Sequence, residues 1–466
     1  MKMRILILAV ILLLSYIPVK AQKIVLHPVP KEIIYSKHND DFTVQVRTPK
    51  QDWLDLYEYL VNVDMDTKSE ASMVQFDFEG KVELRIKVNN GIIHDVKIRP
   101  LNKNIQYSVI GNTIFFSLDK PSKLSLEVNG DRLRNLHIFA NELEKEIPSS
   151  EDINVLYFGE GMHKAKEAEG IFNVCSNTTV YLAPGAVVQG KFVCNKVENV
   201  RFIGRGIIME PQRGFEITHS KNIEIDGITV INPVHYTVCG GETSGLKINN
   251  LKSFSNKGWS DGIDLMSCSD VTINDIFMRN SDDCIAIYTH RWNYYGDVRN
   301  YEITNAILWA DIAHPVNIGL HGDTSIEGNV IENIHFSNMD ILEHDEDDRN
   351  YQGCMAFSVS DHNLVQNITF ENIRVENIQE GQLFNIRVLF NEKYSTGPGR
   401  GIKNITFRNI FYKGNGENPS IIEGFSEKYN IENVMFENIV INGKKIKSFK
   451  EGNIGIGKYT NKIFIK

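Results

Sequence analysis

Apolar and polar residues alternate in short runs along residues 40–145. The runs are VELRIKV (82–88), IQYSV (105–109), TIFFSL (113–118) and KLSLEV (123–128), and Asn and Gly residues at 89–91, 111–112 and 129–130 separate them. A period of two with one polar face is typical of half-buried strands, and Asn-Gly pairs favour tight turns between them. The pattern predicts a small antiparallel β-sandwich over residues 22–150. No catalytic constellation is evident in it.

From about residue 155 the pattern becomes a repeat. Each copy holds alternating apolar residues, then an asparagine and another apolar residue, as in NITFENI (367–373) and NITFRNI (404–410). The first apolar residues lie at 200, 223, 246, 271, 301, 334, 368, 405 and 434, with intervals of 23 to 37 residues. Such a unit cannot bury its apolar side alone, so the copies stack around one core. The repeat predicts a β-solenoid over residues 151–466. A propeller, the competing fold, needs longer blades of about 40–50 residues.

The recurrent asparagine of each copy is expected at a bend between two strands. There its side-chain amide can satisfy backbone groups, and asparagine tolerates a left-handed backbone better than most residues. We therefore assign these asparagines a structural role and no part in the chemistry.

The first residues have the pattern of an export signal. Lys2 and Arg4 precede the apolar run ILILAVILLLSYIPV, and VKA (19–21) forms a cleavage site before Gln22. We interpret residues 1–21 as a signal peptide and expect a periplasmic or secreted protein, because the run is short for a membrane anchor. The net charge of −9, with no basic run between aromatic residues, argues against a nucleic-acid partner.

The cysteines show neither CxxC pairs nor the Cys/His spacing of a zinc site. We interpret them as small buried apolar side chains, with an occasional disulfide as the alternative. They are Cys175, Cys194, Cys239, Cys268, Cys284 and Cys354.

Ionisable residues recur at similar distances from the start of consecutive copies. Asp261 lies 15 residues after the start at 246, Asp282 and Asp283 lie 11 and 12 after 271, and His314 lies 13 after 301. His235 lies 12 after 223. Residues at matched offsets lie above one another, about 4.8 Å apart per coil. The spacing predicts three carboxylates and a histidine on one lateral face of the solenoid.

Clustered carboxylates displace one another's pKa, so that one can stay protonated beside an ionised partner. An acid facing a base is the requirement of glycosidic hydrolysis, and a separation of about 6.5–9.5 Å admits water and inverts the anomeric centre. One or two coils plus side-chain reach give a separation of that order. A divalent cation site and a solvated turn are the alternatives.

At these residues the chain resembles the polygalacturonases of glycoside hydrolase family 28. SDGID (260–264), DDCIAI (282–287) and HPVNIG (314–319) are similar to the family's NTDG, DDC[IV]A and HG-[IL]-SIG motifs, in the same order. NP (232–233) is similar to its upstream Asn/Ser-Pro turn, and the resemblance spans roughly 155–445. It implies a right-handed parallel β-helix of the pectin-lyase type and an inverting hydrolase of a pectic or related polysaccharide. It also implies Asp282 as general acid, Asp261 and Asp283 as activators of water, and His314 as a supporting residue.

The chain departs from the family motifs at three places. NTDG is WSDG (259–262) here, and Pro315 replaces the glycine after histidine. The family's Arg-Ile-Lys motif binds the galacturonate carboxylate. Here only IRV (386–388) is similar to it, so Arg387 matches the arginine of the motif and its lysine has no counterpart. A neutral α-glucan is therefore an alternative substrate. A β-sandwich before a β-helix, with an Asp and then an Asp-Asp pair, also resembles family 49, the dextranases and isopullulanases.

Further substrate-binding candidates surround the carboxylates in sequence. Aromatic rings offer rigid apolar surface for sugar stacking, and packing under long loops is the alternative for them. The candidates are His235, His290, Arg291, Trp292, Tyr294 and Arg387, and Trp259, Tyr295 and Trp309 share the same neighbourhood. No organic cofactor and no metal is implied. A polysaccharide lyase and a non-catalytic glycan-binding solenoid remain the other classes.

Overall fold

The computed structural model describes residues 22–165, 170–414 and 417–466. The predicted signal peptide lies outside the described residues. Within these ranges the regular structure is strand apart from one short 3-10 turn, Leu101–Lys103. No helix in this part of the chain is both long and apolar enough to cross a bilayer. The predicted all-β fold, a right-handed parallel β-helix preceded by a small β-sandwich, is confirmed.

Two sheets form the N-terminal sandwich, and their apolar faces meet in one core with Val44 and Leu84 on one side and Phe76 and Ile138 on the other. The pairing is antiparallel with one exception, because Asp131–Glu142 runs parallel to Ser69–Glu79. The first sheet contains Lys23–Leu26, Tyr59–Val63, Ser69–Glu79, Val96–Arg99, Ser122–Val128 and Asp131–Glu142. The second contains Phe42–Arg47, Leu54–Asp55, Val82–Val88, Tyr107–Ile110 and Thr113–Leu118.

The solenoid stacks its strands in three parallel columns around a single apolar core. The first column contains Val155–Phe158, Thr179–Leu182, Glu198–Gly204, Lys221–Asp226, Ser244–Asn249, Ser269–Asn274 and Val298–Thr304. The second contains Gly161–Lys164, Ala186–Gln189, Ile207–Met209, Thr229–Ile231, Lys252–Phe254, Phe277–Ser281 and Ile307–Ile312. The two columns then merge into the long strands Val330–Glu343, Leu364–Val375, Gly401–Tyr412 and Ile431–Ile441, and the first column ends with Thr460–Ile465.

The third column carries the site described below. Its strands are Ile171–Asn173, Lys191–Asn195, Phe215–Thr218, Val238–Gly241, Ile263–Met266, Ile285–Tyr288, Val316–Ile318, Met355–Val359, Phe384–Val388, Ser420–Glu423 and Ile454–Ile456. Three two-residue strands lie outside the columns' regular stacking: His290–Arg291 pairs with Tyr294–Tyr295, and Lys444–Lys445 with the end of Ile431–Ile441.

The predicted repeat gives the observed stacking. The first apolar residues of successive copies pair directly, for example Ile223 with Leu246, Ile334 with Ile368 and Ile368 with Ile405. The asparagine after each alternating run has the left-handed backbone expected at a bend, for example Asn372 and Asn409, and Asn409 Nδ2 donates to Asn372 Oδ1 of the preceding coil at 3.0 Å. The asparagine before each run forms a second ladder of the same kind, in which Asn404 Nδ2 donates to Asn367 Oδ1 at 2.9 Å and Asn433 Nδ2 donates to Asn404 Oδ1 at 2.8 Å.

The sandwich packs against the second column of the solenoid. Met73 and Phe139 of the sandwich join Phe254, Phe277 and Trp309 in one buried cluster, so Trp309 is a packing residue and not a sugar platform. The cysteines are all free thiols, and five are buried as predicted. Cys175 is the exception, because it lies on an exposed turn between coils.

Candidate active site

The register of the third column brings the predicted residues into one row. Arg213, Tyr236, Asp261, Asp283 and His314 each lie two residues before a third-column strand, on five successive coils. Backbone hydrogen bonds hold this register, from Thr237 N–H to Asp261 O at 2.9 Å, Gly262 N–H to Asp283 O at 2.8 Å and Cys284 N–H to His314 O at 2.8 Å. The unequal offsets counted from the first column reflect turns of different length. Counted from the third column, the offsets are identical.

Three carboxyl groups meet at the centre of this row. One oxygen each from Asp261, Asp282 and Asp283 lies within 4.8 Å of the other two. Asp261 and Asp283 are buried and Asp282 is partly buried. The closest oxygens are thus nearer than the 6.5–9.5 Å expected from coil spacing, because Asp282 and Asp283 share one coil and Asp261 lies on the adjacent coil.

Asp283 is the ionised member. Its Oδ1 accepts hydrogen bonds from His314 Nδ1 at 2.6 Å and His314 N–H at 3.1 Å, and its Oδ2 accepts from Asn317 at 2.9 Å and Tyr288 at 3.3 Å. Burial opposes the charge, but the His314 cation and these donors hold the pKa of Asp283 below its ordinary value. Burial likewise disfavours the imidazolium, but Asp283 outweighs it and raises the pKa of His314 to about 9.

Asp282 has the opposite balance. Burial and the neighbouring Asp283 charge raise the pKa of Asp282 to about 6. Two backbone donors limit the shift, because Oδ2 accepts from Trp259 N–H at 2.9 Å and Oδ1 from Asp283 N–H at 3.1 Å. Below about pH 6 the adjacent aspartates therefore carry different protonation states, Asp282 protonated and Asp283 ionised.

Asp264 is a fourth carboxyl group that sequence reasoning did not select. It lies on the outward face of strand Ile263–Met266, between Cys239 and Ala286 of the adjacent coils, and is fully buried. Burial raises the pKa of Asp264 and of Asp261 well above the ordinary range, and Asp261 is raised further by Asp264. Period-two alternation in SDGIDLM could have found it, since Ile263 and Leu265 point into the core and Asp264 away from it.

Arg291, Trp292 and His235 gather beside Tyr236, next to the carboxyl groups. The Arg291 guanidinium lies 5.0 Å from the Trp292 ring centre and 5.7 Å from that of Tyr236. Arg213, which sequence reasoning missed, lies 5.1 Å from the Trp292 ring centre. Burial, then these two cations, lower the pKa of His235 to about 4, so its imidazole is neutral.

His290 and Tyr294 hold the hairpin that presents Arg291 and Trp292. His290 Nδ1 lies 2.6 Å from Tyr294 O, and its ring stacks on Tyr295 at 4.1 Å. The Tyr294 ring covers Gly241, where a Cβ atom would come within 2.5 Å of the ring. These contacts give both residues a packing role in the described structure, one layer behind the carboxyl groups.

Arg387 is not brought to the carboxyl groups. Its strand lies three coils beyond Ile285–Tyr288, a distance of about 14 Å along the stack. There it donates to Asn350 O at 3.3 Å and lies 4.0 Å from Glu423. Tyr351, from the same long insertion as Asn350, instead reaches the site, where its hydroxyl accepts from Asn317 at 2.8 Å and its carbonyl contacts His314 Nε2.

Three carboxyl oxygens, one each from Asp261, Asp282 and Asp283, could hold a cation. His314 is not available as a fourth ligand. Both of its ring nitrogens contact protein oxygens, Asp283 Oδ1 and Tyr351 O. The donor set facing the cleft is therefore carboxyl oxygen alone, and two of the three oxygens already accept backbone or side-chain N–H groups.

Sequence comparison finds similarity to known polygalacturonases. Exopolygalacturonase B of Aspergillus niger is 24% identical over 222 residues, which cover 45% of this chain and 47% of that protein. Probable endopolygalacturonase D of Neosartorya fischeri is 26% identical over 237 residues, 50% of this chain and 44% of that protein. The chain thus spans about half the length of the curated relatives it matches.

The structure of Dex49A from Penicillium minioluteum superposes with a TM-score of 0.61 at 16% identity, over 94% of this chain and 96% of that one. This likeness shows a shared fold that includes the sandwich as well as the solenoid. Residues 160–457 match the family described as Glycosyl hydrolases family 28, a span that contains the whole carboxyl row. The protein belongs to glycosyl hydrolase family 28.

Proposed function

We propose that the protein is an exported inverting glycoside hydrolase that cleaves a pectic polysaccharide or oligosaccharide. The observation that supports this best is the pair of adjacent carboxyl groups with opposite protonation, Asp282 with a pKa of about 6 and Asp283 below its ordinary value. An acid and a base held on a rigid sheet at one point are what glycosidic hydrolysis requires.

In the proposed reaction Asp282 donates its proton to the glycosidic oxygen as the bond from that oxygen to the anomeric carbon breaks. A water molecule bonds to the carbon from the opposite side and gives its proton to the ionised Asp283, while Asp261 hydrogen-bonds to the same water. Asp283 then releases that proton to solvent, and Asp282 regains one from solvent. His314 keeps Asp283 ionised and does not touch the substrate.

Water is the attacking group in this proposal because neither buried carboxylate suits a nucleophile. Both oxygens of Asp283 already accept hydrogen bonds, and the raised pKa of Asp261 favours its protonated form. The first-formed product should therefore have the inverted anomeric configuration. Nuclear magnetic resonance of the product within the first minutes of reaction checks this, and a retained configuration would contradict the mechanism.

An anionic sugar is the proposed substrate because Arg291 offers a cation at the carboxyl row. Among the described residues it forms no ion pair, and its guanidinium rests against Tyr236 and Trp292. Arg213 is less available, since it pairs with Glu216 at 3.1 Å. Arg291 thus takes the part that the family motif would give to Arg387. Substitution Arg291→Gln tests it by lowering kcat/KM on polygalacturonate more than on its carboxyl-reduced form.

Export and the domain boundaries are further parts of the proposal. The signal-like residues 1–21 support secretion or periplasmic location, and a polymeric glycan is an extracellular substrate. We place the boundary between sandwich and solenoid near residue 150, because Asp131–Glu142 closes the first sheet and Val155–Phe158 begins the first column.

Product release from a panel of glycans tests the function. Wild type, Asp282→Asn and the control Asp323→Asn, an exposed aspartate bonded to Ser325, are incubated with polygalacturonate, rhamnogalacturonan and dextran. We expect new reducing ends from a pectic glycan, unchanged in the control and lower by about 10²- to 10⁴-fold in Asp282→Asn. Release from dextran alone would favour the neutral-glucan alternative. Products with an ultraviolet-absorbing double bond would indicate a lyase, and binding without release would indicate a glycan-binding solenoid.

A further inference from the structure

We propose that the indole of Trp259 is the platform on which the leaving sugar stacks, so that this sugar is recognised by its apolar face. The inference rests on the proposed hydrolase function and concerns its specificity. Trp259 stands where the family motif has asparagine, and its side chain is 67% exposed. Such a large exposed ring at a catalytic turn calls for a role.

The turn that carries Trp259 is rigid. Ser260 Oγ accepts from Lys257 N–H at 3.0 Å and donates to Lys257 O at 2.6 Å, which closes the turn. Ser255 Oγ and Asn280 Nδ2 both donate to Ser260 O, at 2.5 and 3.3 Å, which fixes the turn to the core. The indole is therefore presented from a fixed backbone.

The backbone of Trp259 is also strained. Its φ is 60°, in the left-handed region that a bulky side chain rarely adopts. Asparagine or glycine would fit this conformation better. A strained residue that is also exposed gains nothing from packing that would offset the strain, and residues of this kind cluster at functional sites.

A hydrogen bond ties Trp259 to the general acid. Its N–H donates to Asp282 Oδ2 at 2.9 Å, so one residue touches the acid with its backbone and solvent with its ring. The acid must reach the glycosidic oxygen, which belongs to the leaving sugar after cleavage. The exposed surface beside the acid is therefore surface for that sugar.

Trp292 reaches the same row from a different part of the chain, beside Tyr236 and Arg213. Trp259 precedes strand Ile263–Met266, whereas Trp292 follows strand Ile285–Tyr288 and packs 6.0 Å from Tyr236 between the two arginines. The two arginines thus lie beside Trp292, whereas the general acid, Asp282, lies beside Trp259. A cation suits a sugar carboxylate, and a bare indole suits the C–H face of a pyranose ring.

The residue type then determines what the leaving position accepts. Asparagine reads hydroxyl or carboxyl groups by hydrogen bonds, while an indole gains from contact area whatever the ring carries. We infer that an uncharged pyranose is accepted at the leaving position as well as a uronate.

A pair of substrates separates this role from a structural one. Trigalacturonate has a sugar leaving group, whereas α-galacturonosyl fluoride releases fluoride and places nothing on the proposed platform. Trp259→Asn keeps a residue that tolerates the left-handed backbone, and with it the N–H to Asp282. Trp259→Phe keeps an aromatic surface, and Tyr35→Asn, at an aromatic residue that is 92% exposed in the N-terminal region, is the control.

We expect Trp259→Asn to lower kcat/KM on trigalacturonate by about 3- to 10-fold, mainly through KM, and to leave fluoride hydrolysis unchanged. Trp259→Phe should recover most of the loss, and Tyr35→Asn should match wild type on both substrates. A loss on trigalacturonate that falls on kcat and not on KM would mean that Trp259 only positions Asp282, because fluoride leaves with little help from an acid. An equal loss on both substrates would mean a general structural effect, and no loss would exclude the platform; each of these overturns the inference. If wild type hydrolyses neither substrate, the proposed function has failed and the inference falls with it.

Discussion

Asp282 and Asp283 are neighbours in the chain, yet their surroundings differ. Asp283 lies in the row and receives four donors and a cation, whereas Asp282 lies one residue earlier and receives two backbone N–H groups. Burial raises the pKa of both, so the difference comes from His314 and Asn317. A two-residue motif thus yields an acid and a base because the connection between strands Phe277–Ser281 and Ile285–Tyr288 directs the two side chains toward different partners.

This arrangement predicts an activity that falls above about pH 6. Asp282 must be protonated to act, and its pKa of about 6 in the free protein sets the descending limb of kcat/KM. The His314 cation lowers the pKa of Asp282, so His314→Gln should move that limb to higher pH as well as lower the maximum rate. Profiles of kcat/KM from pH 3 to 9 on both proteins check it. A limb that stays in place in the variant would mean that another group sets it.

A second prediction concerns Asp264, whose charge raises the pKa of Asp261. Asp264→Asn should stabilise the protein near neutrality, because a buried carboxyl with a raised pKa costs stability as pH rises above its unfolded value of about 3.9. The melting temperature of Asp264→Asn should exceed that of wild type at pH 7 and should equal it at pH 4. Equal shifts at both would point to packing instead.

Sequence reasoning found the four polar residues of the site but not all of their surroundings. The motifs around Asp261, Asp282, Asp283 and His314 were visible because each lies beside a strand of the repeat. Tyr351 was not, since it belongs to an insertion whose path follows no repeat. Arg387 stays a prediction as a substrate-binding residue: its strand matches the motif, and the stack places it three coils from the carboxyl groups.

At the scale of the element, the asparagine bends illustrate how local and repeated effects combine. Asn404 has a φ of 56°, and its amide both donates to Asn367 and accepts from Asn433. The repeat predicted such bends, but the coil-to-coil bonds depend on the register of the first column. Register depends in turn on turn lengths, which vary from copy to copy and cannot be counted from apolar residues alone.

Two substitutions at Asn404 separate the effect of backbone strain from the effect of the coil-to-coil hydrogen bonds. Asn404→Ala should destabilise the protein by about 1–3 kcal/mol, because alanine strains the left-handed bend and the two hydrogen bonds are lost. Asn404→Gly should recover part of the loss, since glycine removes the strain but not the bonds. Thermal unfolding of the two variants and wild type measures both contributions. An equal loss of stability in both variants would show that the coil-to-coil hydrogen bonds, and not the backbone strain, determine the effect.

At the scale of the whole molecule, buried charges join the sandwich to the solenoid. Arg279 on the second column forms a bidentate pair with Asp311, at 2.9 and 3.0 Å, and also donates to Asn135 of the sandwich at 2.9 Å. Trp309 lies 4.1 Å from the same guanidinium. The sandwich and the solenoid each supply hydrogen-bond partners for polar groups that the other buries. We therefore expect that neither unit on its own would satisfy all of its buried polar groups.

Arg99 of the sandwich is the sharpest test of this dependence. Fully buried, it donates to Glu127 at 2.8 Å, to Glu343 at 2.6 Å and to Glu376 at 2.7 Å, the last two on the solenoid. Arg99→Met leaves three buried carboxylates without their cation and should cost about 3–5 kcal/mol at neutral pH. Lys97→Gln is the matched control, because Lys97 is partly exposed and 3.6 Å from Glu127, and it should cost less than about 1 kcal/mol. Since protonation removes the uncompensated charge, the Arg99→Met deficit should shrink as pH falls toward 4 in calorimetric unfolding. A deficit that is the same at both pH values would mean that lost packing, and not the carboxylates, destabilises the variant.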